Sequence, residues 1–333
     1  MVVSVVSLYF AFREFDLGDV WDAMGRIQWV WFGLMIAPFV VTFLAKVWRW
    51  RVLFHPDEER APFGLLFSAL MISYIPLPFR MGEVARGIIA GSRSGIAIPR
   101  VFSTIVVEKV LDVLTLLLFL GISLPFVEVP ANMQGPALTL GVVATVGSVF
   151  LLALVLKPSI AHGLAHFAGS KLPARFGERI EKGTHEVLQG FAPRSDPPVA
   201  LRVVLWSLGT WGFNVLTVYL MLLSFNITVS PLAAAVLVVA ANLIMVVPAA
   251  PGSVGTFELA VITVLEALGQ PRGVAQSFAL FYHFIGLAPV AVMGIIGMIQ
   301  LGVGFGTLRR GAAQAPTGVQ PTTRPAPSTR EES

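Results

Sequence analysis

The sequence predicts an all-α fold: a polytopic membrane helix bundle with two re-entrant helical hairpins arranged as an inverted repeat. Three observations carry this reading. Apolar residues make up 56% of the 333-residue chain and charged residues 13%, against about 25% charged in an ordinary soluble domain. Runs almost free of charge recur at Trp29 to Ala45, Val110 to Val127, Ala137 to Leu156, Val203 to Phe225, Leu232 to Ala250 and Phe278 to Phe305, and about 18 apolar residues suffice for a spanning helix. Other apolar stretches are short and interrupted by Pro and Gly, which suits backbone that enters the membrane and returns.

Taken in order, Val2 to Phe12 reads as a first helix with a clipped start. It lacks the basic start and small-residue cleavage pattern of a signal peptide. Asp16, Asp19 and Asp22 mark an outer loop, although Arg13 and Arg26 dilute that signal. Lys46, Arg49, Arg51 and Arg60 follow the Trp29 run and read as cytoplasmic, since basic residues collect in short inner loops. Phe63 to Ile75 is short and apolar, breaks at Pro76 and Pro78, and continues as Arg80-Met-Gly-Glu-Val-Ala-Arg86 toward Arg93 and Arg100. With basic segments on both sides, this is a hairpin entering from inside.

Ser123 to Gly135 and Asn226 to Pro231 contain no Lys or Arg and read as outward. Between them, Lys157 to Asp196 is basic. It reads either as an amphipathic helix on the inner leaflet or as a solvated linker. Leu232 to Val247 and Phe257 to Leu268 are interrupted by Pro248, Pro251, Gly252 and Gly255, which gives a second hairpin entering from outside. Arg309 and Arg310 place the end of the last run inside. The implied organisation is a membrane domain over 1–306, with halves at about 29–125 and 200–306, a cytoplasmic loop over 157–198, and a Pro/Thr/Ala/Ser-rich disordered tail over 307–333. Both termini are expected to be cytoplasmic.

The halves align at an offset of 175, which sets Glu83 on Glu258 and Glu108 on His283. Paired interrupted segments of this kind mark a binding site near the membrane midplane. The candidate residues follow from the cost of charge in a membrane, about 2.5–3.5 kcal/mol each on insertion scales. Arg80, Glu83 and Arg86 follow the first break; Glu83 and Arg86 share a helical face. Glu108 and Asp112 share another, with Lys109 beside them. Two readings of this group stand: an ion-pair cluster that fixes helix packing, or a polar lining for a lipid head group. In the second half, Gly252 and Gly255 allow close backbone approach, and Thr256 could cap a helix starting near Phe257. Glu258 either satisfies that helix start or takes part in anion binding with its amides. Asn242 is a hydrogen-bond partner for the broken backbone, and His283 is a packing donor or a titrating group.

The chain has no cysteine and a net charge of +4. Disulfides and thiol chemistry are excluded, and no nucleic-acid partner is indicated. No zinc-helix spacing and no Gly-rich phosphate loop after a strand occurs, so no metal and no cofactor are expected.

Four segments in this order and spacing, Arg49-Trp-Arg51, Arg80-Met-Gly-Glu-Val-Ala-Arg86, Val107-Glu-Lys-Val-Leu-Asp112 and Pro251-Gly-Ser-Val-Gly-Thr-Phe-Glu258, resemble the lysylphosphatidylglycerol synthase transmembrane, flippase-like family. The resemblance covers nearly the whole chain up to the tail, and Lys109 stands where that family usually has Arg. It implies a lipid flippase of a bacterial or archaeal inner membrane, standing alone without the aminoacyl-lipid synthetase domain and therefore not an enzyme. The implied ligands are anionic phospholipids or isoprenoid phosphates, with a membrane-bound lipid-modifying enzyme as a further partner and the oligomeric state left open. A non-transporting partner of a lipid-modifying or glycosyl-transferring enzyme, an intramembrane enzyme acting on lipid phosphate and a secondary solute or ion transporter remain as alternatives.

Overall fold

The computed structural model describes residues 2–13, 17–75, 81–127, 135, 139, 142, 146–147, 197–246 and 251–304. Arg80, nearly all of the Ala137 to Leu156 run, the 157–196 segment and the 307–333 tail lie outside these residues. All regular structure among the described residues is helical. The longer helices are α1 (Val2–Phe12), α2 (Leu17–Gly25), α3 (Trp29–Val52), α4 (Phe63–Ser73), α5 (Met81–Ser94), α6 (Ile98–Ser123), α7 (Pro197–Ser224), α8 (Pro231–Leu243), α9 (Thr256–Ala267) and α10 (Arg272–Gln300).

Local sequence explains several boundaries. At the start of α8 the Ser230 hydroxyl accepts from the Ala233 N–H at 3.1 Å, with Pro231 at the first position, where its missing N–H costs nothing. Pro99 occupies the first turn of α6 in the same way. Asp19 and Asp22, which read as an outer loop, lie in the short helix α2, and Asp16 lies outside the described residues. α10 begins at Arg272, earlier than the apolar run suggests, because its first turn is engaged by α1. Arg272 Nη2 donates to Phe10 O at 2.6 Å and Gln276 Nε2 to Ala11 O at 2.8 Å, satisfying carbonyls that a helix end leaves free.

α3 and α7 form the most extensive helix pair and run antiparallel. At one end, Gln28 N donates to Ser224 O at 2.8 Å and Asn226 Nδ2 to Arg26 O at 2.9 Å. At the opposite, basic end, Arg202 Nη2 lies 3.5 Å from Glu58 Oε1, Arg100 Nη2 donates to His55 O at 3.0 Å, and Arg93 Nη2 to Leu301 O at 2.6 Å. α4 and α5 pack on each other, as do α8 and α9. The first pair starts after Arg60 and finishes beside Leu301, both at the basic end. The second starts after Asn226 and finishes before Arg272, both at the opposite end.

The two long helices that follow these pairs cross over. α6 packs on α5 and also on α8; α10 packs on α9 and also on α4. At the α4–α10 contact a Cβ on Gly294 would lie 2.6 Å from Met71 O, and one on Gly297 3.1 Å from Ser68 O. Small residues are needed there because the backbones touch, the usual way for helices to associate where lipid removes the hydrophobic drive between them. α1 follows the same logic. Ser4, Ser7 and Ala11 are buried against the bundle, while Val5 and Tyr9 are 63% and 66% exposed.

Apolar side chains cover the outside. Trp29, Phe284 and Ile299 are 69%, 67% and 75% exposed, a surface that demands a lipid environment. α3, α7 and α10 are long and apolar enough to cross a bilayer. With 26 residues α6 is about 39 Å long, and its carboxylates Glu108 and Asp112 are met by side chains of neighbouring helices.

Candidate functional site

Two polar assemblies lie within this apolar bundle. The first joins α3, α5, α6 and α7. Glu108 of α6 receives Arg86 of α5 through two contacts, Nη2 to Oε2 at 3.0 Å and Nη1 to Oε1 at 3.5 Å, the two-pronged geometry that makes Arg–carboxylate pairs strong. The same carboxylate lies 3.7 Å from Arg49 Nη2, and that nitrogen is 2.8 Å from Asp112 Oδ1. Glu108 and Asp112 thus use their shared helical face to bridge two guanidinium groups. Arg49, Arg86 and Glu108 are all buried.

Aromatic residues seal this network. The Arg86 guanidinium sits 4.5 Å above the Trp50 ring, and the Trp50 indole N–H donates to Thr104 Oγ1 at 2.9 Å. Trp211 of α7 donates its indole N–H to Asp112 Oδ1 at 3.0 Å. Arg49 Nε and Nη1 and Arg86 Nε have no hydrogen-bond partner among the described residues. Glu83 belongs to the same assembly but to its open side. It pairs with Lys109 Nζ at 2.9 Å, with the two side chains 31% and 47% exposed.

The second assembly is the start of α9. Gly252, Ser253 and Gly255 have φ of 73°, 57° and 89°, left-handed conformations that glycine adopts at least cost. They turn the chain so that the Glu258 carboxylate folds back onto the helix start. Its Oε2 accepts from the Gly255 N–H at 2.6 Å, while its Oε1 lies 2.6 Å from His283 Nδ1 on α10. Gly255 rather than Thr256 is the N-cap; Thr256 opens the helix and donates to Ser253 O at 2.9 Å. The Phe257 ring lies 4.6 Å from the His283 ring. A Cβ on Gly255 would come within 2.6 Å of Ser4 O, so α1 closes over this turn.

Of the residues singled out in the sequence, Arg86, Glu108 and Asp112 meet in one network, Glu83 and Lys109 pair at its edge, and Gly255, Glu258 and His283 meet in the other assembly. Gly252 sits in the turn leading to it. The Asn242 amide donates to Val238 O of its own helix at 2.8 Å, and residues 247–250 of the break lie outside the described residues. Arg80 lies outside the described residues. Arg49 was not among the candidates: the sequence marks it only as one of the basic residues at the cytoplasmic end of the helix that Arg49-Trp-Arg51 closes. Its place at i+7 from Thr42 and i+4 from Ala45, both buried, is the signal that it belongs to the inner face of α3. Trp50 and Trp211 were missed because nothing local marks an indole as a carboxylate or guanidinium partner. Among the described residues no group of three or more His, Asp or Glu is placed to hold a metal ion.

The family model described as "Lysylphosphatidylglycerol synthase TM region" matches residues 1–294. Among curated proteins the chain is similar to "Glycosyltransferase AglD" of Haloferax volcanii, 25% identical over 92% of this chain and 54% of that protein. It therefore spans about half the length of that relative. It is also similar to "UPF0104 membrane protein MJ1078" of Methanocaldococcus jannaschii, 24% identical over 66% of this chain and 90% of that protein. No solved structure matches this chain.

Proposed function

The chain belongs to the lysylphosphatidylglycerol synthase transmembrane family, and from that premise we propose that it moves a phospholipid or polyprenyl-phosphate-type lipid between leaflets of a cell membrane. In this reading α4–α5 and α8–α9 are re-entrant hairpins, entered from inside and outside respectively, and the two halves are an inverted repeat with both termini cytoplasmic. The head group passes along the polar residues between the hairpins while its chains stay in lipid.

The observation that carries the proposal is the matched placement of a Glu beside each break with a basic partner on the next long helix. Glu83 pairs with Lys109 and Glu258 with His283. The offset of 175 that relates Glu83 to Glu258 also carries Met81, the start of α5, onto Thr256, the start of α9. The crossed packing of α6 on α8 and α10 on α4 supports the same repeat. Paired broken helices of this type are the usual setting for a transporter site. The test is a leaflet-resolved assay in proteoliposomes with a fluorescent phospholipid and an impermeant quencher. The wild-type chain should make inner-leaflet lipid accessible, and Glu83→Ala with Arg86→Ala should remove that activity. Unchanged movement in the double variant would defeat the proposal.

A second reading draws on the relative named as a glycosyltransferase. Here the chain is the membrane partner of a glycosyl-transferring enzyme and moves no lipid itself. It is favoured if the purified chain leaves the leaflets unmixed and a glycosyltransferase co-purifies with it.

A further inference from the structure

We propose that the Glu258–His283 pair is a proton-binding site, which takes up one proton at His283 Nε2 for each anionic lipid carried, so that the chain works as a proton–lipid symporter. This rests on the reading that the chain moves an anionic lipid between leaflets.

Geometry selects the proton that moves. Glu258 Oε2 accepts the Gly255 N–H at 2.6 Å, and Oε1 lies 2.6 Å from His283 Nδ1. Amides at a helix start favour the ionised carboxylate, so Nδ1 keeps its proton and donates it to Oε1. Nε2 is then the nitrogen that gains and loses a proton. With one ring proton the pair carries a charge of −1. With two it is an imidazolium–carboxylate pair of zero net charge. The step is transfer of a proton from water to Nε2 and later back to water, and no bond besides that N–H forms or breaks.

The setting makes this single charge effective. The His283 and Glu258 side chains are 13% and 5% exposed, the Phe257 ring lies against the imidazole, and α1 closes over Gly255 through Ser4. In such a place a change of one charge acts strongly on a passing anion. The −1 form repels an anionic head group and the neutral form lets it by, so anion and proton cross together.

The helices around the pair leave His283 as its titrating member. α4 and α8, which pack on α10 and α9, carry no ionisable side chain. α3 meets α10 through Phe32 and Phe281, and its charged residues begin only at Lys46. On α7, Arg202 pairs with Glu58 at the basic end. On α9 and α10, Glu266 and Arg272 pair with each other. α2 brings Asp19 and Asp22, and Asp22 is exposed. Arg13, which follows α1, is exposed as well. Tyr9 of α1, Tyr219 of α7 and Tyr282 of α10 belong to a residue type that changes charge only near about pH 10. The first half supplies the contrast. There the Glu beside the break pairs with Lys109, a residue type ordinarily charged throughout the range in which histidine titrates. One half thus holds a permanent pair and the other a switchable one, and the switchable pair belongs to the hairpin that starts and finishes at the end opposite the basic one.

Two measurements on the full chain test this. Nitrogen-15 spectra of histidine-labelled protein in micelles, assigned with His283→Gln, should show His283 titrating between about pH 5 and 8, with Nδ1 protonated throughout and Nε2 changing. The leaflet assay, with fluorescent phosphatidylglycerol added outside proteoliposomes and pyranine trapped within, reads lipid entry and proton entry together. Wild-type lipid entry should acidify the lumen, and should slow by up to about tenfold per pH unit above the His283 titration. His283→Gln, which keeps a donor for Glu258, should lose both the acidification and the pH dependence. His283→Lys, which copies the permanent Glu83–Lys109 pair, should move lipid at a rate that no longer follows pH. Size-exclusion profiles matching the wild type show that each variant is folded. A His283 that does not titrate in this range overturns the proposal. Lipid entry without lumen acidification, or a pH dependence that persists in His283→Gln, overturns it equally and leaves transport standing. A chain in which His283 titrates while no lipid moves at any pH defeats the transport reading, and symport with it, but leaves the proton site.

Discussion

Removing Glu108 tests the central network most directly. Glu108→Ala leaves Arg86, 2% exposed, with the Trp50 face as its remaining close electrostatic partner among the described residues, and takes from Arg49, 0% exposed, one of its two carboxylates there. Two contacts at 3.0 and 3.5 Å are lost together. Breaking a buried ion pair from one side costs about 3–5 kcal/mol, because the surviving charge keeps its desolvation penalty. Arg86→Ala should cost a similar amount by stranding Glu108. Replacing both, as Arg86→Met with Glu108→Leu, removes the stranded charge and leaves the Arg49–Asp112 pair intact. That double variant should recover most of the stability, since apolar side chains of similar volume often substitute for a buried pair at little cost. Reversible unfolding in mixed micelles, read by far-UV circular dichroism, measures all three. Losses below about 1 kcal/mol for the single variants would refute the reasoning, as would a double variant that loses the sum of both.

Further outcomes follow from individual contacts. Gly294→Leu should destabilise by about 1–3 kcal/mol, because even a Cβ meets Met71 O at 2.6 Å, while Gly33→Ala, with open space around it, should be near neutral in the same unfolding assay. Gly255→Ala combines a φ of 89° with a Cβ 2.6 Å from Ser4 O, so it should cost at least about 1–2 kcal/mol and loosen α1, seen as faster amide exchange in residues 4–11. Lys109→Ala should change stability by less than about 1 kcal/mol, since the Lys109–Glu83 pair is partly solvated. A larger loss would place that pair among the structural ones.

Much of the fold was legible because it is written in local pattern. Gly252 and Gly255, singled out in the sequence, supply the positive-φ turns before α9, and α4 ends at Ser73, within the short apolar stretch read from the sequence. The family resemblance agrees with the match over residues 1–294. What the sequence hid depends on distant partners. Glu108 and Asp112 read as one face of a helix, and α6 runs unbroken through them, but the groups on α3 and α5 that meet their charges are not marked locally. Arg49 reads as a basic helix end rather than a site residue for the same reason: its carboxylates stand on another helix. The bond from the Asn242 amide to its own helix carbonyl is a local one always within reach of Asn, and reasoning about the gap beside it did not include it.

The crossed packing of the two long helices has a mechanical consequence. Val101, Ile105 and Val107 of α6 lie in one apolar core while Leu116 and Leu120 lie in the other, and α10 likewise sends Ala275 and Phe278 to one and Val290 and Met298 to its opposite. Each helix is therefore an axle seated in both halves of the molecule. At Gly294 and Gly297 there is no side-chain cushion to absorb slip between α10 and α4. A tilt of either half must be handed to its counterpart, so the two sides of the protein are geared together rather than free to open independently.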